Sequence, residues 1–179
     1  MMLAKICLLG EVYVGKTSLI RRYVDRAFSE NYLSTVGVTI SRKLIRLSLR
    51  PGEDPAELQL IFWDLEGGQN FREISSTYLS GAHAAVVVGD VTRTETLEAL
   101  DGFIDQFHSI NPNGLVIVAL NKSDLQETAN RPRPEQWVHR DHVLTTLYTS
   151  ARTNDGVDQL FENLGAGILQ GKDNEPTHL

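Results

Sequence analysis

The chain has 179 residues, enough for one domain with a sizeable hydrophobic core. Charged residues make up 22% and apolar residues 41% of the chain, so we expect a soluble globular protein. The net charge of −6 and the lack of a Lys/Arg-rich run argue against a surface that binds nucleic acid.

The cysteine content and the apolar runs bear on the cellular setting. The single cysteine, Cys7, cannot form an internal disulfide, which fits a reducing, cytoplasmic environment. Cys7 lies inside an apolar run, so we expect a buried side chain. No stretch approaches the roughly 20 apolar residues of a membrane helix. Neither end carries a lipidation motif, so we expect no direct membrane anchor.

Strand and helix patterns alternate along the first third of the chain. The run "KICLLG" (5–10) is typical of a buried strand, and "KTSLIRRYV" (16–24) is typical of a helix. The segment "VTISRKLIRLSL" (38–49) alternates apolar and polar residues, as a half-buried edge strand does. After a turn at "RPGEDPAE" (50–57), "LQLIFWD" (58–64) predicts a second strand, so the two form a hairpin.

The middle of the chain carries two continuous apolar runs, "AAVVVGDV" (84–91) and "GLVIVALN" (114–121). Such runs are typical of parallel strands that are covered on both faces. Between them, residues 94–110 place apolar side chains three and four positions apart, which predicts a helix.

The last part predicts a short helix from Pro134, a strand ending at Thr149 and a closing helix over 155–169. The alternation implies a three-layer α/β domain with helices on both faces of a six-stranded, mainly parallel sheet and one antiparallel edge strand. We expect the domain to span residues 1–170, followed by a short polar tail over 171–179.

A phosphate-binding motif occurs early in the chain. The stretch "GEVYVGKTS" (10–18) fits Gly-x-x-x-x-Gly-Lys-Thr between a predicted strand and a predicted helix. Backbone N–H groups, a helix N-terminus and Lys16 would hold phosphate groups there, and the Thr17 hydroxyl is a candidate Mg²⁺ ligand. A plain glycine turn is the alternative, and the complete motif in this context disfavours it. The motif does not separate ATP from GTP.

A second motif bears on the base. The stretch "NKSD" (121–124) lies at the end of a predicted strand. The Asp124 carboxylate can accept two hydrogen bonds, from the N1–H and the 2-amino group of guanine. Adenine lacks this donor pair and would leave the carboxylate unsatisfied. Alone, Asn-Lys-x-Asp suits any polar loop; after a phosphate motif it predicts guanine.

Together these motifs resemble those of Ras-superfamily small GTPases, most similarly the Rab branch, from Lys5 to about Leu169. The stretch "TSA" (149–151) resembles the third guanine loop, whose alanine amide meets the guanine O6. The stretch "STVGV" (34–38) resembles the first switch, and "DVTRTETLEAL" (90–100) the Rab run after the fourth strand. The resemblance implies a GTP-dependent switch of the P-loop NTPase fold that binds GTP or GDP with Mg²⁺. Unlike the Rab branch, this chain lacks the C-terminal lipidation cysteine.

The resemblance also implies roles by position. It implies that Mg²⁺ is held by Thr17, Thr35 and Asp64. It implies nucleotide contacts for Tyr13, Val14, Gly15, Lys16, Thr17, Ser18, Phe28, Ser34, Thr35, Gly67, Asn121, Lys122, Asp124, Leu125, Ser150, Ala151 and Arg152. It implies a catalytic set of Lys16, Thr35, Gly67 and Gln69. By its sequence context alone, Phe28 suits a core position as well as the edge of the base.

The stretch "WDLEGGQNF" (63–71) departs from the family pattern. Residues 64–67 match Asp-x-x-Gly, in which the aspartate holds Mg²⁺ through water and the glycine amide senses the γ-phosphate. The family's catalytic glutamine should follow, but this chain has Gly68 and then Gln69. No insertion explains the change, because "FREI" (71–74) keeps the Rab spacing. Gly68 therefore replaces the glutamine.

Two further departures lie near the same phosphate. Glu66 replaces a small residue, and Val12 stands where the family usually has glycine or serine, with the bulky Tyr13 beside it. One interpretation is drift on a functional scaffold. We favour the other, in which hydrolysis is slowed or reassigned to Gln69, because Gly68 has no side chain to orient water.

Two functional classes stay open. The first is a switch that hydrolyses GTP slowly, which the retained Thr35 favours. The second is a non-hydrolysing guanine-nucleotide-binding module or scaffold, which Gly68 and Glu66 favour. A P-loop kinase or ATPase is disfavoured by "NKSD" (121–124). No effector, exchange factor or activating protein is identifiable from the sequence.

Two other groups of side chains are candidates for function. His139, Asp141 and His142 could form a metal cluster, but we expect them on a solvated face because no third firm ligand lies nearby in sequence. Phe62 and Trp63 precede the second switch, where aromatic side chains of the family help to form the effector surface. Strand alternation should place one of the two in the core.

Overall fold

The structure, a computed structural model, describes residues 1–29, 37–65 and 76–173. One sheet is formed by β1 (Met2–Leu9), β2 (Val38–Leu47), β3 (Ala56–Leu65), β4 (Ala84–Asp90), β5 (Leu115–Asn121) and β6 (Val143–Tyr148). The helices with described bounds are α1 (Lys16–Asp25), α2 (Thr94–Glu98), α3 (Leu100–Ile110), α4 (Glu135–Val138) and α5 (Val157–Asp173).

The strand order across the sheet is β2-β3-β1-β4-β5-β6. The outer strand β2 pairs antiparallel with β3, and all the other pairs are parallel. The predicted fold class is therefore confirmed. Because β1 lies between β3 and β4, the chain winds outward in both directions from it. The loops at the carboxyl ends of the central strands consequently gather at one edge, where ligands of such sheets bind.

The sheet separates two hydrophobic clusters. On one face, Tyr23 of α1 and Phe161 of α5 stack with ring centroids 4.3 Å apart, and Phe62 of β3 packs edge-on against Phe161 at 5.1 Å. On the other face, α3 buries Leu100, Ile104 and Phe107. Phe62 is fully buried, whereas Trp63 is only half-buried on the opposite face. The alternation expected for these two aromatic residues is confirmed.

The predicted helix over 94–110 is interrupted at Ala99. Ala99 keeps helical backbone angles (φ −76°, ψ −15°), but the hydrogen bonds from its own N–H to Glu95 and from the Phe103 N–H to its carbonyl are long, at 3.3 Å each. The Thr96 hydroxyl lies within hydrogen-bond distance of the backbone at both Asp90 and Arg93, which fastens the first turn to the end of β4. The prediction of one continuous helix was therefore wrong at that point.

Four element boundaries also differ from the expected ones. β1 begins at Met2, and β3 begins at Ala56, inside the predicted turn. The closing helix starts at Val157 rather than Asp155, because Gly156 has φ +67° and a Cβ there would lie 2.2 Å from the Tyr148 carbonyl oxygen. That helix continues to Asp173, three residues past the predicted domain end. Within the described ranges, no helix has both the length and the apolar character of a membrane span.

Cys7 lies on β1 and is fully buried, as predicted. Burial raises the pKa of its thiol from 9.0 to about 12. At pH ~8 this change lowers the thiolate fraction by roughly a thousandfold, and only the thiolate reacts with alkylating agents.

We therefore expect native protein to resist iodoacetamide at pH ~8 and to be labelled rapidly after denaturation, as followed by intact mass. Labelling of the native protein at the rate of a small-molecule thiol would contradict this placement of Cys7.

Candidate functional site

The site is built on the carboxyl edge of the sheet. Residues 10–15 form the loop between β1 and α1, and Asp64 lies near the end of β3, beside Leu8 of β1. Asp90 ends β4, and it is paired in the sheet with Asn121, which ends β5. The side chains of Asp64, Asp90 and Asn121 are all more than nine-tenths buried, an unusual density of polar groups for a domain interior.

The loop between β1 and α1 folds around a buried lysine. The ammonium of Lys16 donates to the carbonyl oxygens of Gly10 and Glu11, each at 2.9 Å. Burial lowers the pKa of Lys16 to about 8, and the nearby charges of Asp64 and Glu11 oppose the decrease. A cation held inside a loop of backbone groups can bind a phosphate anion strongly.

Glycine is required at Gly15, the last residue before α1. Its φ is +102°, and a Cβ there would lie 2.3 Å from Nδ2 of Asn121. The loop can approach β5 this closely only with a hydrogen atom at that position. Tyr13 also has a left-handed backbone (φ 64°), and its side chain is 53% exposed.

Thr17 and Asp64 form the candidate metal site. The Thr17 hydroxyl donates a short hydrogen bond to Oδ2 of Asp64. The other oxygen, Oδ1, is buried and has no hydrogen-bond partner within the described part of the chain. Burial raises the pKa of the Asp64 carboxyl, while the Thr17 hydrogen bond and the Lys16 charge oppose that increase. A hydroxyl beside a carboxylate with an unpartnered buried oxygen fits Mg²⁺, which prefers oxygen ligands.

A cavity of about 310 Å³ lies next to the loop. Its lining consists of Gly15, Ser18, Phe28, Asn121, Lys122, Asp124, Leu125, Ala151 and Arg152. Phe28 is half-buried, because one side packs on the core while the ring also borders the cavity. Phe28 therefore takes part in the core, and its contact with the base stays a prediction. The cavity is a candidate base pocket continuous with the phosphate loop through Gly15.

Asp124 is held by the loop after β6. Its Oδ1 accepts a hydrogen bond from the Ser150 hydroxyl at 2.7 Å, and that hydroxyl accepts from the Thr153 N–H at 3.1 Å. The carboxylate itself is exposed to the cavity side. A fixed, accessible carboxylate can accept the two parallel donors that guanine presents and adenine lacks.

Four residues to which the sequence analysis gave no site role of their own hold these loops in place. Arg22 of α1 donates to the carbonyl oxygens of Ala151 at 2.6 Å and Arg152 at 2.7 Å. The buried Thr149 hydroxyl donates to Oδ1 of Asn121 at 3.2 Å. The other two are Asp90 and Arg93. The end of a buried strand was a usable signal for Asp90, whereas nothing in the sequence pattern marked the two arginines.

The carboxylate of Asp90 organises the loop after β4. Its Oδ2 pairs with the Lys122 ammonium at 2.7 Å, and its Oδ1 accepts from the Thr92 N–H and hydroxyl at 2.9 and 2.7 Å. Burial raises the pKa of this carboxyl, but the hydrogen bonds from Lys122 and Thr92 outweigh burial and hold it below its usual value. Asp90 is therefore ionised and satisfied.

The structure brings most of the predicted site residues to this edge. At the edge lie Tyr13, Val14, Gly15, Lys16, Thr17, Ser18, Phe28, Asp64, Asn121, Lys122, Asp124, Leu125, Ser150, Ala151 and Arg152. Ser34, Thr35, Gly67 and Gln69 fall outside the described residues, as do Glu66 and Gly68. Their roles stay predictions.

The group of His139, Asp141 and His142 is exposed, as expected. His142 faces His108 with ring centroids 5.8 Å apart. Within residues 1–29, 37–65 and 76–173, no group of three or more His, Cys, Asp or Glu side chains could hold a metal ion.

Comparison with known proteins gives the family. The sequence model of the Ras family matches residues 5–170. The chain is a member of the Ras family. It is similar to Ras-related protein RABD2a of Arabidopsis thaliana, with 32% identity over 97% of this chain and 84% of the relative. It is also similar to RabC of Dictyostelium discoideum, with 33% identity over 90% of this chain and 82% of the relative.

RabJ of Dictyostelium discoideum is 29% identical over 96% of this chain, which spans 66% of that relative. These matches make the protein a Rab-like, P-loop, small GTP-binding protein of a family whose members hydrolyse GTP.

For this Ras-family protein we expect Asp124→Ala to weaken GTP binding strongly. The loss should reach several kcal/mol if both hydrogen bonds to guanine disappear, at ~1.5–3 kcal/mol for each bond to a charged group. Titration calorimetry with GTP and ATP measures the effect. Asp54→Ala, in the exposed turn after β2, is the matched control and should leave GTP affinity unchanged. Equal affinity of the unmodified protein for ATP and GTP would contradict the assignment.

Proposed function

We propose that this protein is a magnesium-dependent GTP switch whose hydrolysis step is slow because Gly68 stands at the position of the catalytic glutamine. The observation that carries the metal dependence is the pair of Thr17 and Asp64, with a buried carboxylate oxygen that lacks a hydrogen-bond partner within the described ranges. We also propose that the protein acts in the cytoplasm.

The chain's own residues have distinct tasks in that function. Thr17 and Asp64 would hold Mg²⁺ together with Thr35, and when bound the ion neutralises charge on the phosphate oxygens. Lys16 binds and orients the phosphates, since its ammonium already lies within the loop. Asp124 and the Ala151 amide would recognise guanine.

The chemical step of this reaction depends on positioning. In phosphoryl transfer the protein orients the attacking water and stabilises charge that is already developing. Gly68 has no side chain for the first task, and Gln69 follows one position later. Loss of one water-orienting contact worth roughly 1.4–2.8 kcal/mol slows such a step about ten- to a hundredfold.

The side chain of Val12 would crowd the same phosphate. It lies in the loop between β1 and α1 directly before the exposed Tyr13, so two bulky side chains follow one another where close approach matters. An arginine supplied by an activating protein would have to pass them. We therefore propose a poor response to such a protein.

A second candidate is a binding module that holds GTP or GDP without useful turnover. Gly68 and Glu66 favour it, since both change residues next to the γ-phosphate position. Single-turnover hydrolysis separates the two candidates: release of phosphate over time supports the switch, and unchanged bound GTP supports the module.

For the switch we expect Gly68→Gln to speed single-turnover hydrolysis about ten- to a hundredfold, because it restores a water-orienting amide. Gln69→Ala is the matched variant that tests whether the neighbour has taken over the task. An unchanged rate in Gly68→Gln, together with a tenfold or greater loss in Gln69→Ala, would show that Gln69 is the catalytic residue.

For the metal we expect a chelator to speed the release of a fluorescent GDP analogue about tenfold or more, because a ligand held by bound Mg²⁺ leaves more slowly than one that is not. Thr17→Ala, which lacks the hydroxyl, should release GDP fast even with Mg²⁺ present, whereas Thr17→Ser should behave like the unmodified protein. Release that does not respond to chelator in the unmodified protein would rule out the metal role.

A further inference from the structure

Three consecutive carbonyl groups of the phosphate loop, residues 10–15, are each held by a side chain from elsewhere in the fold. The Val12 carbonyl accepts from Nη2 of Arg93 at 2.7 Å, and the Tyr13 carbonyl accepts from Nζ of Lys122 at 2.7 Å. The Val14 carbonyl accepts from Nδ2 of Asn121 at 2.9 Å. The carbonyl groups of residues 12–14 are therefore each hydrogen-bonded.

The planarity of the trans peptide fixes where the N–H groups on the other side of the loop point. In each peptide unit the C=O of one residue and the N–H of the next point in opposite directions. When the carbonyls of residues 12–14 point outward to their donors, the N–H groups of residues 13–15 point inward. Successive inward N–H groups form an anion-binding concavity, and Lys16 lies within the same loop.

One peptide in this row is unfavourable by itself. Tyr13 has φ 64°, a left-handed backbone that a side chain with a Cβ rarely adopts. The residue is 53% exposed, so packing of its side chain contributes little to holding that backbone. The two peptides that flank Tyr13 are those whose carbonyls bond Arg93 and Lys122. These two cations are therefore placed where they can hold the strained residue.

The two cations share one anchor. Nε of Arg93 lies 3.3 Å and Nζ of Lys122 lies 2.7 Å from Oδ2 of the buried Asp90. The Thr92 N–H and hydroxyl fix the other carboxylate oxygen. The anchor places one buried negative charge between two positive ones, so Asp90 holds both cations beside the loop.

We propose that Arg93 is a positioning residue for the nucleotide: by holding the Val12 carbonyl from the Asp90 anchor, it keeps Tyr13 in its left-handed backbone and directs the Tyr13 N–H at the phosphate groups. The proposal rests on guanine-nucleotide binding at this site. Arg93 itself contacts no part of the nucleotide in this role. Its contribution is a phosphate loop that is already formed before GDP or GTP binds, and that releases them slowly as a result.

The test follows the release of a fluorescent GDP analogue from the full chain after dilution into excess GDP. Arg93→Met keeps the length of the side chain and removes its donors, and we expect release to speed up about tenfold, the factor that corresponds to about 1.4 kcal/mol. Arg93→Lys keeps the charge but cannot bond Asp90 and Val12 in the same fork, so its rate should lie in between.

The matched control is Arg50→Met. Arg50 also pairs with a carboxylate three positions away in a loop, Glu53 at 3.1 Å, but it is 76% exposed and lies far along the chain from the site. Its release rate should equal that of the unmodified protein. Circular dichroism and thermal melting of each loaded variant separate a change of the loop from loss of the fold.

A double-mutant cycle tests the strain argument. Tyr13→Gly removes the Cβ, so positive φ becomes as accessible as negative φ. In the Tyr13→Gly background, Arg93→Met should speed GDP release by less than about threefold, because less strain is left for Arg93 to oppose. The same tenfold effect in both backgrounds, or no effect of Arg93→Met in the unmodified background, overturns the proposal.

The outcomes also separate this proposal from the function on which it rests. If the unmodified protein binds no GDP, guanine-nucleotide binding has failed and Arg93 has no nucleotide to position. If the unmodified protein binds GDP and Arg93→Met releases it at the unmodified rate, binding stands and the positioning role is wrong. Fast release by Arg93→Met together with full rescue by Tyr13→Gly supports both.

Discussion

The arrangement of this site depends on the hydrogen bonds of one side chain, that of Asn121. It is almost fully buried at the end of β5, so its amide must find partners inside the protein. Its Nδ2 donates to the loop after β1 at Val14, and its Oδ1 accepts from Thr149 in the segment after β6. Gly15 must then lack a side chain, because a Cβ would collide with that same amide. One satisfied amide thus fixes the phosphate loop, the base pocket and the spacing between them.

Around that contact the fold collects buried charge at one edge of the sheet. Lys16, Asp64 and Asp90 are each more than nine-tenths buried, and removal of a charge from water is unfavourable unless it is paired. Asp90 is fully paired, by Lys122, Arg93 and Thr92. Asp64 is not, because its Oδ1 has no hydrogen-bond partner within the described ranges. Lys16 donates to the neutral carbonyl oxygens of Gly10 and Glu11, and burial lowers its pKa. Asp64 and Lys16, whose burial is the less compensated, lie where the proposed Mg²⁺ and phosphate would bind.

Periodicity predicted the strands and the main helices because burial on one or both faces leaves a repeat of two, or a repeat near 3.6, in the sequence. The phosphate and guanine motifs were readable because the residues of each motif are close together in sequence, although they contact each other across 107 and 109 positions. Arg22 and Arg93 were not readable. Each contacts backbone carbonyls, which no residue type marks, and their partners lie 129–130 and 81 positions away. The break at Ala99 was missed because Ala99 keeps helical angles and only the hydrogen bonds lengthen.

Two of the departures from the family pattern, Val12 and Tyr13, lie in the loop between β1 and α1. The base side keeps Asp124, Ser150 and Ala151, and the structure shows the first two hydrogen-bonded to each other. The phosphate side carries the bulky Val12 and Tyr13, and Tyr13 has an unfavourable backbone with Arg93 and Lys122 bonded on either side of it. In the proposed function, guanine would be recognised by the loops after β5 and β6, and the phosphate groups would be bound by the loop after β1. Because different loops would supply these two tasks, residues on the phosphate side can change without altering the residues proposed to recognise guanine.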